Sequence, residues 1–398
     1  MTSIPMKLCD SAHAELTGNI LPFWMKRMAD EKNGGFYGRI NGQGLLVENE
    51  DKGGILNARI LWSFSATYNH LGNIRYKEMA GRAKDYALAH FFDPAYGGTF
   101  WTVDYKGGPA DTKKQIYSQA FFIYALVEYF VASGDKLCLE KAISLFHLIE
   151  EKSFDTLKNG YLEAFSREWN LLEDLRLSAK DDNEKKTTNT HLHILEAYTS
   201  LYKVWKNEEL AGKLRNLTNI FIGKIIDPDS HHLKLFFDED WYSKSSLISY
   251  GHDIEASWLI YEAAKVLEDK DLLRSAKDAC IKLGIAALEG IQPDGSLIYE
   301  KEGAKGHIDG DRHWWPQAEA MVGLLNLYEM TARETYLNQA VRCWEYIQNH
   351  LVDRQHGEWF WSIKADGSVN TADDKAGFWK CPYHNTRACL EIMRRTEK

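Results

Sequence analysis

Along most of the chain apolar residues recur every three or four positions, the period of a helix with one buried face. In His191-Leu-His-Ile-Leu-Glu-Ala-Tyr-Thr-Ser-Leu-Tyr, residues Leu192, Leu195, Tyr198 and Leu201 fall at intervals of three. Segments of this kind cover 57–68, 116–131, 191–204, 254–266 and 318–330, each followed by a second one. Short polar turns such as Ser133-Gly-Asp and Glu268-Asp-Lys-Asp join many of the pairs. The pattern predicts about twelve helices in six hairpins.

A Gly-plus-aromatic phrase separates the hairpins: Asn33-Gly-Gly-Phe-Tyr, Tyr96-Gly-Gly-Thr-Phe-Trp, Asn159-Gly-Tyr-Leu, Asp294-Gly-Ser-Leu-Ile-Tyr and His356-Gly-Glu-Trp-Phe-Trp. Gly34, Gly97, Gly160, Gly295 and Gly357 are spaced 63, 63, 135 and 62 residues apart. The long gap is about double, and His231-His-Leu-Lys-Leu-Phe-Phe sits where a sixth copy belongs. Each phrase reads as a turn opening a short strand. Six hairpins of constant period can close on themselves. The expected architecture is all-α, an (α/α)6 barrel with short β-hairpin-like loops at one end, in a single catalytic domain over residues 1–398. An open solenoid usually carries polar capping repeats, whereas the last segment here, Trp379-Lys-Cys-Pro-Tyr-His, is rich in reactive side chains. The longest irregular stretch, 166–186, ends in Asp181-Asp-Asn-Glu-Lys-Lys. It reads first as a solvated surface loop, with a substrate lid as the alternative.

Composition narrows the function. Forty-eight basic against 57 acidic residues give a net charge of −9, which argues against a nucleic acid partner. Thirteen Trp and 20 Tyr exceed what a core usually needs, and flat rings with one polar handle suit stacking on sugars. The start has no basic region followed by an apolar run, and no stretch approaches about 18 uninterrupted apolar residues. Neither a signal peptide nor a membrane span is expected. Cys9, Cys138, Cys280, Cys343, Cys381 and Cys389 form no CxxC pair, so they read as reduced thiols in a cytoplasmic protein.

Polar groups able to do chemistry cluster where the first helix of several pairs begins: Asn57 and Arg59, then Asn189, His191 and His193, then His252 and Glu255, then Trp315 and Glu319, then Trp379 and His384. In a closed barrel, equivalent ends of alternate helices meet around one mouth, where helix N-termini add positive potential. Asn189 and His193 are four apart and share a face, as do Trp315 and Glu319. His252 and Glu255 are three apart, which suits a carboxylate orienting an imidazole. Three histidines, an arginine and several tryptophans suggest proton transfer on an uncharged polyol. No GxxxxGK[ST] loop for phosphoryl transfer is present. Without HExxH or a recognisable ligand pair, no metal is expected. His191, two positions from His193, reads as a surface residue, and Trp62, Trp101 and Trp169 read as core. Arg59, inside an apolar helix start, needs either an internal salt bridge or an anion.

These phrases together resemble the N-acylglucosamine 2-epimerase superfamily, most closely its cellobiose 2-epimerase branch. The likeness is carried by Arg59-Ile-Leu-Trp-Ser-Phe-Ser, Asn189-Thr-His-Leu-His-Ile-Leu-Glu-Ala-Tyr-Thr, Ser249-Tyr-Gly-His-Asp-Ile-Glu-Ala-Ser-Trp, Trp314-Trp-Pro-Gln-Ala-Glu-Ala and Trp379-Lys-Cys-Pro-Tyr-His-Asn, and it runs over about 10–395. It implies an (α/α)6 barrel, and reversible epimerisation at C2 of the reducing-end glucose of β-1,4-linked disaccharides, with no added cofactor and a monomeric chain. It further implies that His384 and His252 are the acid/base pair, that His193 assists ring opening and that Arg59 stabilises the enediolate. Tyr117, Asn189, Glu255, Trp315, Glu319 and Trp379 would then hold the sugar, with Glu255 also orienting His252. Thr386 stands where many relatives have Gly, a difference expected to bear on local packing. The competing readings are a mannose-type aldose–ketose isomerase or an N-acylglucosamine 2-epimerase on the same scaffold, a glycoside hydrolase and a non-catalytic helical-repeat binder.

Overall fold

The computed structural model describes residues 4–303 and 306–396. In chain order the helices are α1 (Ile4–Glu15), α2 (Leu21–Arg27), α3 (Gly54–Leu71), α4 (Ile74–His90), α5 (Ile116–Ser133), α6 (Lys136–Lys152), α7 (Thr188–Val204), α8 (Glu208–Ile220), α9 (Tyr250–Val266), α10 (Lys270–Ala287), α11 (Trp314–Thr331), α12 (Glu334–Tyr346) and α13 (Tyr383–Thr396). A π turn at Leu16–Ile20 joins α1 to α2, so these two count as one bent helix and the total is the expected twelve.

Odd-numbered helices from α3 to α13 form the inner ring, with the remainder outside. The sequence explains the division. In α3 every residue from Gly54 to Thr67 is buried, which suits a helix packed on all sides. Outer α10 buries only Leu272, Ala276, Cys280, Leu283, Gly284, Ala286 and Ala287, one stripe at helical spacing. Outer helices α4, α6, α8 and α10 start on Asn or Asp side chains, as where Asp135 accepts from the Leu137 amide and Asn207 from the Leu210 amide. Among the described residues one helix, α5, is long and apolar enough to cross a membrane by length and composition alone. It is mostly buried, packed between α3 and α7.

Each Gly-plus-aromatic phrase is a β-bridged turn. The bridges pair Ala29 with Phe36, Phe92 with Thr99, Phe154 with Tyr161, Ile226 with Leu233, Ile291 with Leu297 and Val352 with Trp359. The fourth confirms the sixth copy read at His231-His-Leu. At Gly160, where φ is +88°, a Cβ would come within 2.4 Å of the Trp241 ring, so a side chain has neither the conformation nor the room.

The ring closes, which excludes the open solenoid. The first amides of α3, α5, α7 and α11 donate to Trp101, Glu163, Leu235 and Trp361 carbonyls, each from the loop of the following unit. Ile40 bridges Ala376, and the Glu15 carboxylate accepts from the Trp359 indole at 2.8 Å, tying the start of the chain to its end. Buried lysine–aspartate pairs repeat around the loop end: Lys52–Asp30, Lys114–Asp93, Lys186–Asp155 and Lys375–Asp353, at 2.7–2.9 Å. All six cysteines are free.

Candidate active site

The N-termini of the inner helices surround a cavity of about 900 Å³, near the upper end of the range for small-molecule sites. Arg59, Tyr117, Asn189, His193, His252, Glu255, Trp315, Trp379 and His384 all line it, although Arg59 and His384 are 325 positions apart. Glu319 does not line it. It is fully buried behind His384, where its Oε1 accepts from His384 Nδ1 at 2.7 Å and its Oε2 from the Trp258 indole at 3.1 Å. Its position suits an orienting group rather than a sugar contact.

Three imidazoles are each fixed through Nδ1. His193 Nδ1 meets Glu196 Oε2 at 2.9 Å, His384 meets Glu319, and His252 meets Ser249 Oγ at 2.8 Å. A carboxylate can only accept, so His193 and His384 carry their proton on Nδ1 and keep Nε2 as a base. The expected pairing of Glu255 with His252 is not formed. Glu255 Oε1 is held by Arg387 Nη2 at 2.5 Å, because a buried carboxylate is drawn to a full cation rather than a neutral ring. Burial pushes His252 down to about 3 and holds His384 well below the usual histidine range, aided by the positive charge of Arg59 and Arg387. The Trp315 ring centre lies 4.8 Å from His252 and 5.7 Å from His384, so both imidazoles lie against one aromatic side chain.

Arg59 has no carboxylate partner among the described residues. Its Nη2 donates to the Tyr117 hydroxyl at 2.8 Å and its Nη1 approaches Cys381 Sγ at 3.6 Å. Its guanidinium lies 4.2 Å from the Phe121 ring centre and 4.9 Å from that of Tyr383. Of the two choices left open for this buried cation, the internal salt bridge is not used, and a cation facing a cavity with no counterion is suited to charge that develops in a bound molecule. Asn189 Oδ1 is buried without a hydrogen-bond partner.

Beneath the histidines lies Arg387, 1% exposed, whose guanidinium contacts Glu196, Glu255, Glu319 and the Tyr383 hydroxyl. Neither Arg387, Glu196, Tyr383 nor Ser249 stood out in the sequence. Glu196, Ser249 and Tyr383 lie within the phrases that carry the resemblance, and helical spacing was a further signal, since Glu196 lies three residues after His193 and Arg387 three after His384. Glu255, Glu319 and His384 form a group close enough to hold a cation, and Arg387 already bridges its two carboxylates.

His191 is not at the surface. It is fully buried, with Nδ1 on the Thr187 carbonyl at 2.7 Å and Nε2 accepting from the Tyr161 amide at 2.9 Å, which makes it a structural lock between two units. Trp62 and Trp101 are buried in the core and Trp169 packs against it. The 166–186 stretch is not simply solvated. Residues 175–182 and Glu184 form part of the cavity wall, Leu175 is buried, and Gln115 Nε2 donates to the Arg176 carbonyl at 2.9 Å.

The N-acylglucosamine 2-epimerase (GlcNAc 2-epimerase) family model matches residues 35–388. A cellobiose 2-epimerase of Bacteroides fragilis is 57% identical, over 95% of this chain and 97% of its own. One from Ruminococcus albus is 41% identical over 96% and 97%. The chain belongs to the N-acylglucosamine 2-epimerase family, in its cellobiose 2-epimerase branch. It is therefore an isomerase of the carbohydrate epimerase class. The solved structure of cellobiose 2-epimerase from Bacillus thermoamylovorans superposes with a TM-score of 0.94 at 43% identity, covering 98% of this chain and 99% of that one. A D-mannose isomerase structure shares the fold, with a TM-score of 0.85 at 21% identity and 99% coverage of each chain.

Proposed function

We propose that this epimerase acts on the reducing-end glucose of β-1,4-linked disaccharides, converting cellobiose to glucosyl-mannose and lactose to epilactose. The observation that carries the reading is the placement of two imidazoles, His252 and His384, 4.8 and 5.7 Å from the Trp315 ring centre, in a cavity that also holds the uncompensated Arg59.

In this reading His193 assists opening of the sugar ring. One of His252 and His384 takes the C2 proton on Nε2, the C–H electron pair forms a C1–C2 double bond, and the carbonyl oxygen takes the negative charge beside Arg59. Rotation about C2–C3 turns the other face of C2 toward the second imidazole, which is protonated only in the substrate complex, where negative charge develops beside it, and which gives up that proton. The pair thus holds one mobile proton, and reversal exchanges the two roles. Tyr117, Asn189, Glu255, Trp315 and Trp379 hold the sugar. The reaction needs no added cofactor, and the protein works as a cytoplasmic monomer with neither nucleic acid nor membrane as partner. Hydrolysis would need two carboxylates about 6.5–9.5 Å apart across the bond; the carboxylates among the histidines are otherwise engaged, Glu196 and Glu319 behind the imidazoles and Glu255 on Arg387.

Proton NMR of cellobiose with the purified protein in D2O and EDTA tests this. Deuterium at C2 with glucosyl-mannose signals is the expected result. Deuterium at C1 with a ketose product would move the protein to the isomerases, and free glucose to the hydrolases. His252→Ala and His384→Ala should each abolish epimerisation in a folded protein. Wild-type turnover in either would sink the two-histidine scheme.

A further inference from the structure

Arg387 gathers three carboxylates from three different inner helices: Glu196 of α7, Glu255 of α9 and Glu319 of α11. Two of these are the carboxylates that hold His193 and His384 by Nδ1. Two imidazoles from helices on different sides of the barrel are therefore fixed to one guanidinium through one intervening carboxylate each, Glu319 by a single shared oxygen and Glu196 by one oxygen on either side. The guanidinium is clamped between aromatic faces, 4.8 Å from the Trp258 ring centre and 4.3 Å from that of Tyr383. A planar fork suits this task, since it reaches several acceptors at fixed angles where an ammonium presents a point charge.

The charges do not cancel. One guanidinium faces three buried carboxylates, and burial favours holding the remaining balance as a proton. Burial raises both Glu319 and Glu255, the latter to about 7 with the help of Glu319, while Glu196 is held low by Arg387, and of the two raised carboxyls Glu255 lines the cavity. His384 is faced by Glu319 from α11, Arg59 from α3, His193 from α7, His252 from α9 and Arg387 and Tyr383 from its own helix. The Tyr124 phenol of α5 is a further titratable group in the field of Arg387.

We propose that Arg387 is a positioning residue for two of the three site histidines, aligning His193, the ring-opening group, and His384, one of the acid/base pair, through Glu196 and Glu319 and setting the charge state in which they work. The inference deepens the epimerase reading above and rests on it for its kinetic part. Arg387 touches no cavity surface, so its effect passes through the carboxylates.

The test compares Arg387→Lys, Arg387→Gln and Glu196→Gln with the wild type, reading kcat and KM across pH, thermal melting, and imidazole titration by NMR of histidine-labelled protein without substrate. Arg387→Lys keeps the charge and loses the fork. It should lower kcat by tenfold or more with little change in KM and with the acid limb of the pH profile in place. Arg387→Gln loses the charge, so His384 gains a proton more readily and the acid limb should move up by about one pH unit. Glu196→Gln leaves Arg387 less compensated and should move the limb and the His384 titration the other way. It also keeps the guanidinium clamp, so it reads the proposal even if Arg387→Gln does not fold. A lower melting point with unmoved pH profiles and imidazole titrations in Arg387→Gln and Glu196→Gln would reduce Arg387 to a structural clamp and overturn the proposal. The substrate-free titration separates the two readings. A wild-type chain that leaves disaccharides unchanged would refute the proposed function, while the NMR shifts would still decide the role of Arg387.

Discussion

His384 and Glu319 lie 65 positions apart in the chain and 2.7 Å apart in the site, Nδ1 to Oε1, with both side chains buried. The contact fixes the tautomer of the histidine and leaves Nε2 facing the cavity as the base. Glu319 also accepts from Arg387 and Trp258, so both its oxygens are used. Glu319→Gln keeps size and shape but offers one oxygen and an amide donor. In a Ser–His–Asp triad the same substitution of the orienting carboxylate costs about 10⁴ in kcat. Here kcat should fall by at least about 100-fold with KM within about threefold, by the same loss of tautomer control. Steady-state kinetics on cellobiose decide it, and a kcat within a few-fold of wild type would detach Glu319 from the chemistry.

Arg59 carries the opposite kind of dependence, because it has no carboxylate partner to satisfy it. Its neighbours are a phenol, a thiol and two aromatic faces. Arg59→Lys preserves the charge but removes the two-pronged donor. Loss of one preorganised oxyanion donor typically costs about 10²–10³ in kcat, and a fall of that size at nearly constant KM is expected. Unchanged kcat would remove Arg59 from the enediolate role.

How much of this was legible follows from which interactions are local. The helix period and the 63-residue phrase are local patterns, and they led to six hairpins, ring closure and the cluster of Arg59, His193, His252 and His384 at one mouth. The i,i+3 spacing of His252 and Glu255 misled, because it names only a neighbour on the same helix. The stronger partner of Glu255 is Arg387, 132 positions away. Arg387 itself is a single arginine on a short C-terminal helix that also carries Arg394 and Arg395, and no periodicity separates a buried cation from an exposed one. His191 was misplaced for a related reason. The residue it locks is Tyr161, in the preceding unit.

The wall formed by 175–182 is held by Gln115, the residue just before α5. Gln115 Nε2 donates to the Arg176 carbonyl at 2.9 Å and more loosely to that of Leu175 at 3.4 Å. Gln115→Leu would leave these carbonyls without their donor, at a cost of about 1–3 kcal/mol to the closed arrangement of the wall. Because the histidines are held by other residues, binding should suffer before chemistry. KM for cellobiose should rise by roughly tenfold, the equivalent of about 1.4 kcal/mol, with kcat within about twofold. A fall in kcat at constant KM would mean that the wall shapes the reacting end of the cavity instead.

Two buried groups oppose each other in how stability depends on pH. Glu255 is pushed up to about 7 in the folded state from an ordinary 4.5, so between these values the folded chain binds more protons than the unfolded one and stability falls as pH rises. His252 is pushed down to about 3 from 6.5, so over that window the unfolded chain binds more protons and stability rises with pH. Their windows overlap between about 4.5 and 6.5, where the two slopes offset each other. Glu255→Gln removes one slope and leaves the other. Its melting temperature should therefore climb more steeply from pH 5 to pH 7 than that of the wild type. By pH 8 the variant should have gained on the order of 1–3 kcal/mol relative to wild type, at roughly 1.4 kcal/mol per pKa unit. Arg387 keeps Glu196 and Glu319 in the variant, so its own pairing is not abolished. Parallel melting curves for the two proteins across pH 5–8 would show that Glu255 ionises in the folded protein as it does in water.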